Sequence, residues 1–302
     1  MEVKPLSYSQ DLKNELCRRT PHCGSCSEAL LYGMLLFSRA AREALFVSEN
    51  RRAAALFAQT AAELTGAIVT VRDPETASRR PAYTVWLEDD SCREELLGRF
   101  LLEGERDSIR PELLRRECCA MSFLRGAYLA CGTMSDPQGE YHLEFGVPDT
   151  SLGEELLEVL ELYELDFRQS SRGRNPIVYT KESNQIEDFL ARIGAPKAAM
   201  ELMNLKIEKE LRNKVNRVTN CETANISKTV NASMEQIRRI RSLQESGELE
   251  RLPAPLREAA LLRLENPDAS LRELCELAGG TVSRSGLNHR LRRVMELAGE
   301  QE

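Results

Sequence analysis

Four residues near the start of the chain carry side chains that bind soft metals. Cys17, His22, Cys23 and Cys26 lie close together, with Cys23 and Cys26 in a C-x2-C spacing. Zinc takes such ligands in a tetrahedron, commonly as two pairs. A C-x2-C with one adjacent histidine does not easily wrap a tetrahedron, and the second half of a paired-ligand site is missing. The cluster is therefore read as packing at the start of a helix, with no metal and no cofactor assigned.

The other chemistry-bearing residues lie towards the far end. Arg284, Ser285, Asn288, His289, Arg292 and Arg293 recur at helical spacing. Short polar side chains lead and arginines follow, an order that suits reach to base edges first and phosphates after. Ser270, Ser283 and Arg290 complete this candidate DNA-binding set. A further set comes from the segment NKVNRVTNCETANISKTVNASMEQIRRI: Asn213, Asn216, Arg217, Asn220, Asn225 and Lys228. Asparagine disfavours helix interiors, prefers caps and turns, and can bond phosphates or adenine edges. This segment reads either as a tightly capped helical connector or as a second DNA-facing surface.

The elements that must position these residues follow from pattern. Pro253 and Pro255 open a helix that runs to Leu264, and Asn266-Pro267-Asp268 breaks it. Ser270 caps a helix over Leu271–Ala278, with Glu273 at capping-box spacing. Gly279-Gly280-Thr281 is a turn, and Ser283 caps a helix over Arg284–Ala298. Leu271, Leu274, Leu277, Val282, Leu287, Leu291 and Val294 hold the two helices together. The result reads as a helix-turn-helix; the bland alternative is a helical hairpin that merely packs. Ahead of it, Lys197–Val218 reads as a long helix after the boundary Gly194-Ala195-Pro196.

The front of the chain reads as a duplication. Leu113–Pro137 contains a helix whose Leu113, Leu114, Cys118, Met121, Leu124, Ala127, Tyr128 and Cys131 share one apolar face. Gly126, Ala127, Ala130 and Gly132 would let a second helix approach backbone to backbone. Ser27–Ser38 has the same form around Gly33. Helix, strand, helix, strand, strand, helix then follows in both repeats, 27–103 and 112–194. Two basic hairpin loops, Arg79–Arg80 and Arg172–Arg174, fall at corresponding places and are read as solvated tips.

The stretch LRGAYLACG, Leu124–Gly132, resembles the LAGLIDADG helix of homing endonucleases, and Leu31–Arg39 resembles a weaker first copy. In those enzymes each helix supplies a penultimate acid, and the pair holds divalent metal for phosphodiester cleavage. The matching positions here are Ser38 and Cys131, neither a hard oxygen anion. FLRGAYLACGTMSDP with YHLEF, together with the asparagine-rich run, resembles the WhiA family of bacterial DNA-binding regulators. That resemblance implies a degenerate homing-endonuclease domain before a helix-turn-helix. It also implies a role in transcription, cell division, chromosome segregation or, in spore formers, sporulation.

Composition is compatible with that reading. The chain has 302 residues, 42% hydrophobic and 29% charged, ordinary for a globular protein with two cores. No signal-peptide pattern or membrane-length apolar run is present, and nine cysteines without a framework read as reduced cytosolic thiols. Net charge is −7, but residues 196–302 carry +2 and the rest −9. DNA contact is therefore expected in the tail.

The expected fold class is α+β: a duplicated LAGLIDADG homing-endonuclease-like domain followed by an all-α helix-turn-helix domain. The expected divisions are an N-terminal segment 1–26, the pseudo-twofold domain 27–195, a linker helix 196–221 and a DNA-binding domain 222–302. The expected function is a non-enzymatic, cytoplasmic regulator on double-stranded DNA, with the front domain open to a regulatory protein and no membrane role. The alternatives are an active endonuclease using other acids, such as Asp136 or Glu144, and an interaction scaffold with incidental DNA contact.

Overall fold

The structure is a computed structural model that describes residues 7–38, 46–74, 82–100 and 108–299. Two compact units divide it, Met1–Glu208 and Lys209–Glu302.

The first unit begins with α1 (Tyr8–Leu16), α2 (Gly24–Leu36), β1 (Phe46–Ser48), α3 (Arg51–Thr65), β2 (Val69–Arg72), β3 (Tyr83–Leu87) and α4 (Asp90–Phe100). A 3-10 turn at Pro111–Leu114 leads to α5 (Glu117–Cys131), β4 (Gly132–Met134), β5 (Leu143–Gly146), α6 (Thr150–Glu161), β6 (Arg168–Arg172), β7 (Asn175–Thr180) and α7 (Ser183–Ile193). The strands form two antiparallel sheets, β1-β3-β2 and β4-β5-β7-β6. The helix, strand, helix, hairpin, helix order expected from the sequence is present in both halves.

Local chemistry sets several boundaries. The Asn50 side chain accepts from the Ala53 amide at 2.9 Å to start α3, and Gly66 at φ +70° ends it. Asp149 does the same for α6 through Leu152 N at 2.9 Å. Two details differ from the sequence reading. The helix expected from Glu112 is interrupted, because the 3-10 turn ends before α5 starts at Glu117. Strand β4 follows α5 directly, and a strand of three residues gives no alternation to detect. The expected start of the first strand at Ala44 and the Arg79–Arg80 loop lie outside the described residues.

Helices α2 and α5 cross at the centre of the unit. Gly33 and Gly126 are the contact. A Cβ on Gly33 would sit 2.2 Å from the Phe123 carbonyl oxygen, and one on Gly126 would sit 2.2 Å from that of Leu30. Each glycine thus faces the other helix's backbone in a reciprocal arrangement. Because the backbones touch, side chains flanking the glycines are driven outward into the cores of the two repeats. Tyr32 packs on Phe123 at 5.3 Å between ring centres, and Tyr128 meets Phe145 edge-on at 5.9 Å. The strip of small residues explains how α2 can be buried over almost its whole circumference.

Helix α1 is part of this core. Leu12 and Leu16 are buried in it, and Glu15 accepts from the amides of Lys197 and Ala198 at 2.7 and 3.2 Å. A carboxylate there caps the first turn of α8 (Pro196–Glu245). The helix expected over Lys197–Val218 therefore continues through the asparagine-rich segment.

The second unit adds α9 (Ala254–Glu265), α10 (Leu271–Leu277) and α11 (Arg284–Gly299) to the end of α8. Ile240 and Leu243 of α8, Ala259 and Ala260 of α9, Leu274 of α10, and Leu287, Leu291 and Val294 of α11 form its core.

Gly126→Ala should already lower the melting temperature, since its methyl group would overlap the Leu30 carbonyl. Gly126→Leu should cost about 1–3 kcal/mol or more through overpacking. A thermal melt of either variant with an unchanged midpoint would show that the helices do not meet at this glycine.

Candidate nucleic-acid interface

The end of the chain is built from caps. Ser270 Oγ accepts from the Glu273 amide at 3.3 Å, and Glu273 Oε2 accepts from the Ser270 amide at 2.7 Å, a complete capping box. The Ser270 amide, followed by its hydroxyl, holds the Glu273 carboxyl below its ordinary range. Gly279 and Gly280, at φ +70° and +71°, reverse the chain after α10. Ser283 Oγ then accepts from the Gly286 amide at 3.2 Å and caps α11. Both caps and the glycine turn stand where the sequence placed them.

A buried arginine braces the approach to this turn. Arg263, 2% exposed, donates from Nε to Gln236 Oε1 at 3.0 Å. Its Nη1 reaches the carbonyls of Asn266 and Ala269 at 3.3 and 2.5 Å. It therefore ties α8 and α9 to the loop that presents Ser270. The sequence reading missed it; the only signal was an arginine on an otherwise apolar helix face.

On α11 the core takes Leu287, Leu291 and Val294, which leaves Arg284, Ser285, His289, Arg292 and Arg293 exposed. Asn288 and Arg290 are half-buried. Ser285 Oγ lies 3.3 Å from Ser283 Oγ. Arg293 pairs with Glu296 at 2.8 Å on its own helix, and this guanidinium holds the Glu296 carboxyl below its usual range. Such an exposed pair is weak and can be exchanged for another anion.

Asn213, Asn216, Arg217, Asn220, Asn225 and Lys228 are all exposed in the interior of α8, so the expected capping role has no helix end to serve. At 3.6 residues per turn, Asn213, Asn216, Arg217 and Asn220 share one face. Leu211, Val215, Val218 and Ile226 are exposed on the opposite side. Asn225 lies on the flank, where its amide donates to Cys221 Sγ at 3.7 Å.

The positions that resemble nuclease acids have different surroundings. Ser38 is buried and Cys131 half-buried. Lys13 brings a buried ammonium to this end of α5, donating to the Leu129 carbonyl at 3.2 Å. Burial lowers its pKa, and Cys131 is the largest opposing influence. The two substitute acids are also engaged. Glu144 Oε2 is shared by Arg172 Nη2 at 2.9 Å and His142 Nε2 at 2.8 Å, while Asp136 accepts from the Gln138 amide at 2.9 Å within a turn. Arg172 is exposed, as expected of a solvated tip, and it also pairs with that carboxylate: Arg168, Tyr179 and Glu144 line up across β6, β7 and β5, and Arg172 reaches back to Glu144.

The early soft ligands separate. Neither Cys17 nor His22 joins a ligand group among the described residues; burial pushes the Cys17 thiol up to about 11. Cys23 and Cys26 meet Cys118 and Cys119 instead. The second pair is ninety residues away in sequence, and only the duplication, which aligns the starts of α2 and α5, could have pointed to it.

These features define the class: a LAGLIDADG-like α+β domain of two repeats, followed by an all-α helix-turn-helix unit. The description "WhiA LAGLIDADG-like domain" fits residues 120–212, and "WhiA C-terminal HTH domain" fits residues 215–298. The probable cell division protein WhiA of Thermoanaerobacter sp. (strain X514) is 35% identical, over 97% of each chain. That of Desulfitobacterium hafniense (strain Y51) is 36% identical, over 98% of this chain and 97% of the relative. The crystal structure of full-length DUF199/WhiA from Thermatoga maritima superposes with a TM-score of 0.61 at 23% identity, covering 98% of this chain and 99% of that one. The chain belongs to the WhiA family. Among the described residues no helix is long and apolar enough to cross a membrane.

Arg263→Met should keep the volume but strand the two carbonyls and Gln236. We expect a loss of about 1–3 kcal/mol in the second unit, read as an earlier denaturant midpoint. Arg272→Ala, which removes only an exposed i,i+4 pair, should leave that midpoint in place.

Proposed function

We propose that this protein is a non-catalytic, DNA-binding transcriptional regulator that serves cell division, chromosome segregation or, in spore formers, sporulation. The observation that carries the reading is α11: its start is capped by Ser283, its inner face is buried, and Arg284, Ser285, His289 and Arg292 are left exposed together. In this reading residues 222–302 are the DNA-binding domain, 196–221 the linker helix and 27–195 the pseudo-twofold domain. The names of the relatives support the cell-division part. Such a protein works in the cytoplasm, on the nucleoid.

Within α11, Arg284, Ser285, Asn288 and His289 occupy the first two turns and face the major groove. Arg290, Arg292 and Arg293 lie nearer the backbone and meet phosphates; Arg293 exchanges Glu296 for that anion. Ser270 holds the preceding helix in register. The Asn213, Asn216, Arg217, Asn220 and Lys228 face of α8 is a second phosphate-contacting surface, with Asn225 at its edge. The front domain is the surface offered to a regulatory protein.

Two kinds of variant should fail differently. Arg292→Ala should weaken binding to all DNA alike and lower the salt slope by about one. Asn288→Ala should keep the slope and cost about 1–3 kcal/mol on the preferred site only. Salt titrations on operator and random DNA distinguish them; equal loss on both DNAs for Asn288→Ala would remove α11 as the reading head.

The absence of catalysis is argued from the chemistry at Ser38, Cys131 and Lys13. Lys13 Nζ places a hydrogen-bond donor there instead of an oxygen acceptor, and a hydroxyl and a thiol are poor partners for Mg²⁺. Supercoiled plasmid should therefore stay intact with Mg²⁺ or Mn²⁺. Turnover abolished by Glu144→Gln or Asp136→Asn would instead make the protein an endonuclease with displaced acids.

A further inference from the structure

The starts of α2 and α5 bring four thiols together at the end of the helix pair opposite Ser38 and Cys131. Cys23 is the residue before the first turn of α2 and Cys26 lies within that turn; Cys118 and Cys119 lie in the first turn of α5. Cys23 Sγ is 3.4 Å from Cys26 Sγ and 3.8 Å from both Cys118 Sγ and Cys119 Sγ. All four sulfurs fall within 4.8 Å of one another. Sulfurs at about 2.3 Å from a tetrahedral zinc are about 3.8 Å apart. The four side chains therefore already outline the shell that a zinc ion would complete.

We propose that Cys23, Cys26, Cys118 and Cys119 bind one zinc ion as a structural tetrathiolate that joins the two repeats. Zinc prefers thiolate sulfur, and four protein ligands close the shell, so the site has no open position for catalysis. Both pairs stand at helix N-termini, whose positive ends suit an anionic cluster. A Zn²⁺ with four thiolates carries a net charge of minus two. The buried cation Arg125, 2% exposed, lies within electrostatic reach of Cys26 and Cys17. Its Nη1 donates to the Arg19 carbonyl at 3.2 Å, and among the described residues its Nε and Nη2 have no hydrogen-bond partner. A negative cluster nearby supplies the counter-charge.

The ligand set also has a structural logic. Two cysteines from each helix cross-link elements about ninety residues apart, next to the crossing that Gly33 and Gly126 already make. Ligation deprotonates the thiols, so the bound state combines metal affinity with folding.

The test is metal analysis of the intact chain, purified under reducing conditions without chelator. One zinc per chain is expected. Reconstitution with cobalt should give the intense visible absorption of a tetrahedral tetrathiolate. Cys26→Ser and the Cys118→Ser/Cys119→Ser double variant should lose both, and Cys17→Ser, whose thiol lies outside the group, should keep both. If the cluster variants do not fold, wild-type protein decides: chelation should lower Tm and added zinc should restore it. Reduced wild-type protein that takes up neither ion stoichiometrically overturns the proposal. So does a Cys23–Cys26 disulfide in protein alkylated at lysis, or full zinc content in the double variant.

Discussion

Everything in the first unit depends on two backbones being in contact. Gly33 against Phe123 and Gly126 against Leu30 leave no room for a methyl group. Side chains that would otherwise separate the helices are pushed into two flanking cores, each roofed by its own antiparallel sheet. One close approach therefore sets the spacing of both repeats. It also brings the starts of α2 and α5 together at one end and Ser38 and Cys131 near the other.

The second end differs from a two-acid metal site by more than Ser38 and Cys131. Lys13 occupies it from α1, and its ammonium is satisfied by the Leu129 carbonyl. Glu144 is paired with Arg172 and hydrogen-bonded with His142. Lys13, Ser38, Cys131 and the engaged Glu144 therefore all differ from a pair of free carboxylates. The helix crossing is compatible with more than one kind of site at its foot, since a fold does not fix the function.

Much of this was legible in the sequence because local chemistry dictated it. Ser270 with Glu273, the glycine pair, Ser283 and the spacing of Leu287, Leu291 and Val294 all act within a few residues of each other. Gly126 was legible because only close approach explains small residues at that spacing on an apolar helix. What was hidden depended on long-range placement. Cys118 looked like a core residue, and Cys119 carried no signal, until the duplication placed them beside Cys23 and Cys26. The pairing of the exposed Arg172 with Glu144 was hidden because that partner is two strands away. The asparagine run suggested helix ends, yet α8 passes straight through it: its exposed asparagines cost propensity, and the apolar and charged residues around them favour continuation.

Glu15 has a temporal consequence. It is synthesised well before the amides it caps, which belong to Lys197 and Ala198, 182 and 183 residues later. Lys13, on the same helix, must wait for Leu129, 116 residues on. During synthesis at about 5–20 residues per second, α1 spends roughly ten seconds or more without its final partners. Its apolar residues Leu12 and Leu16 are uncovered for at least part of that time. The nascent chain is thus an open clasp, closed only when the start of α8 emerges, and a chaperone has that interval in which to hold it.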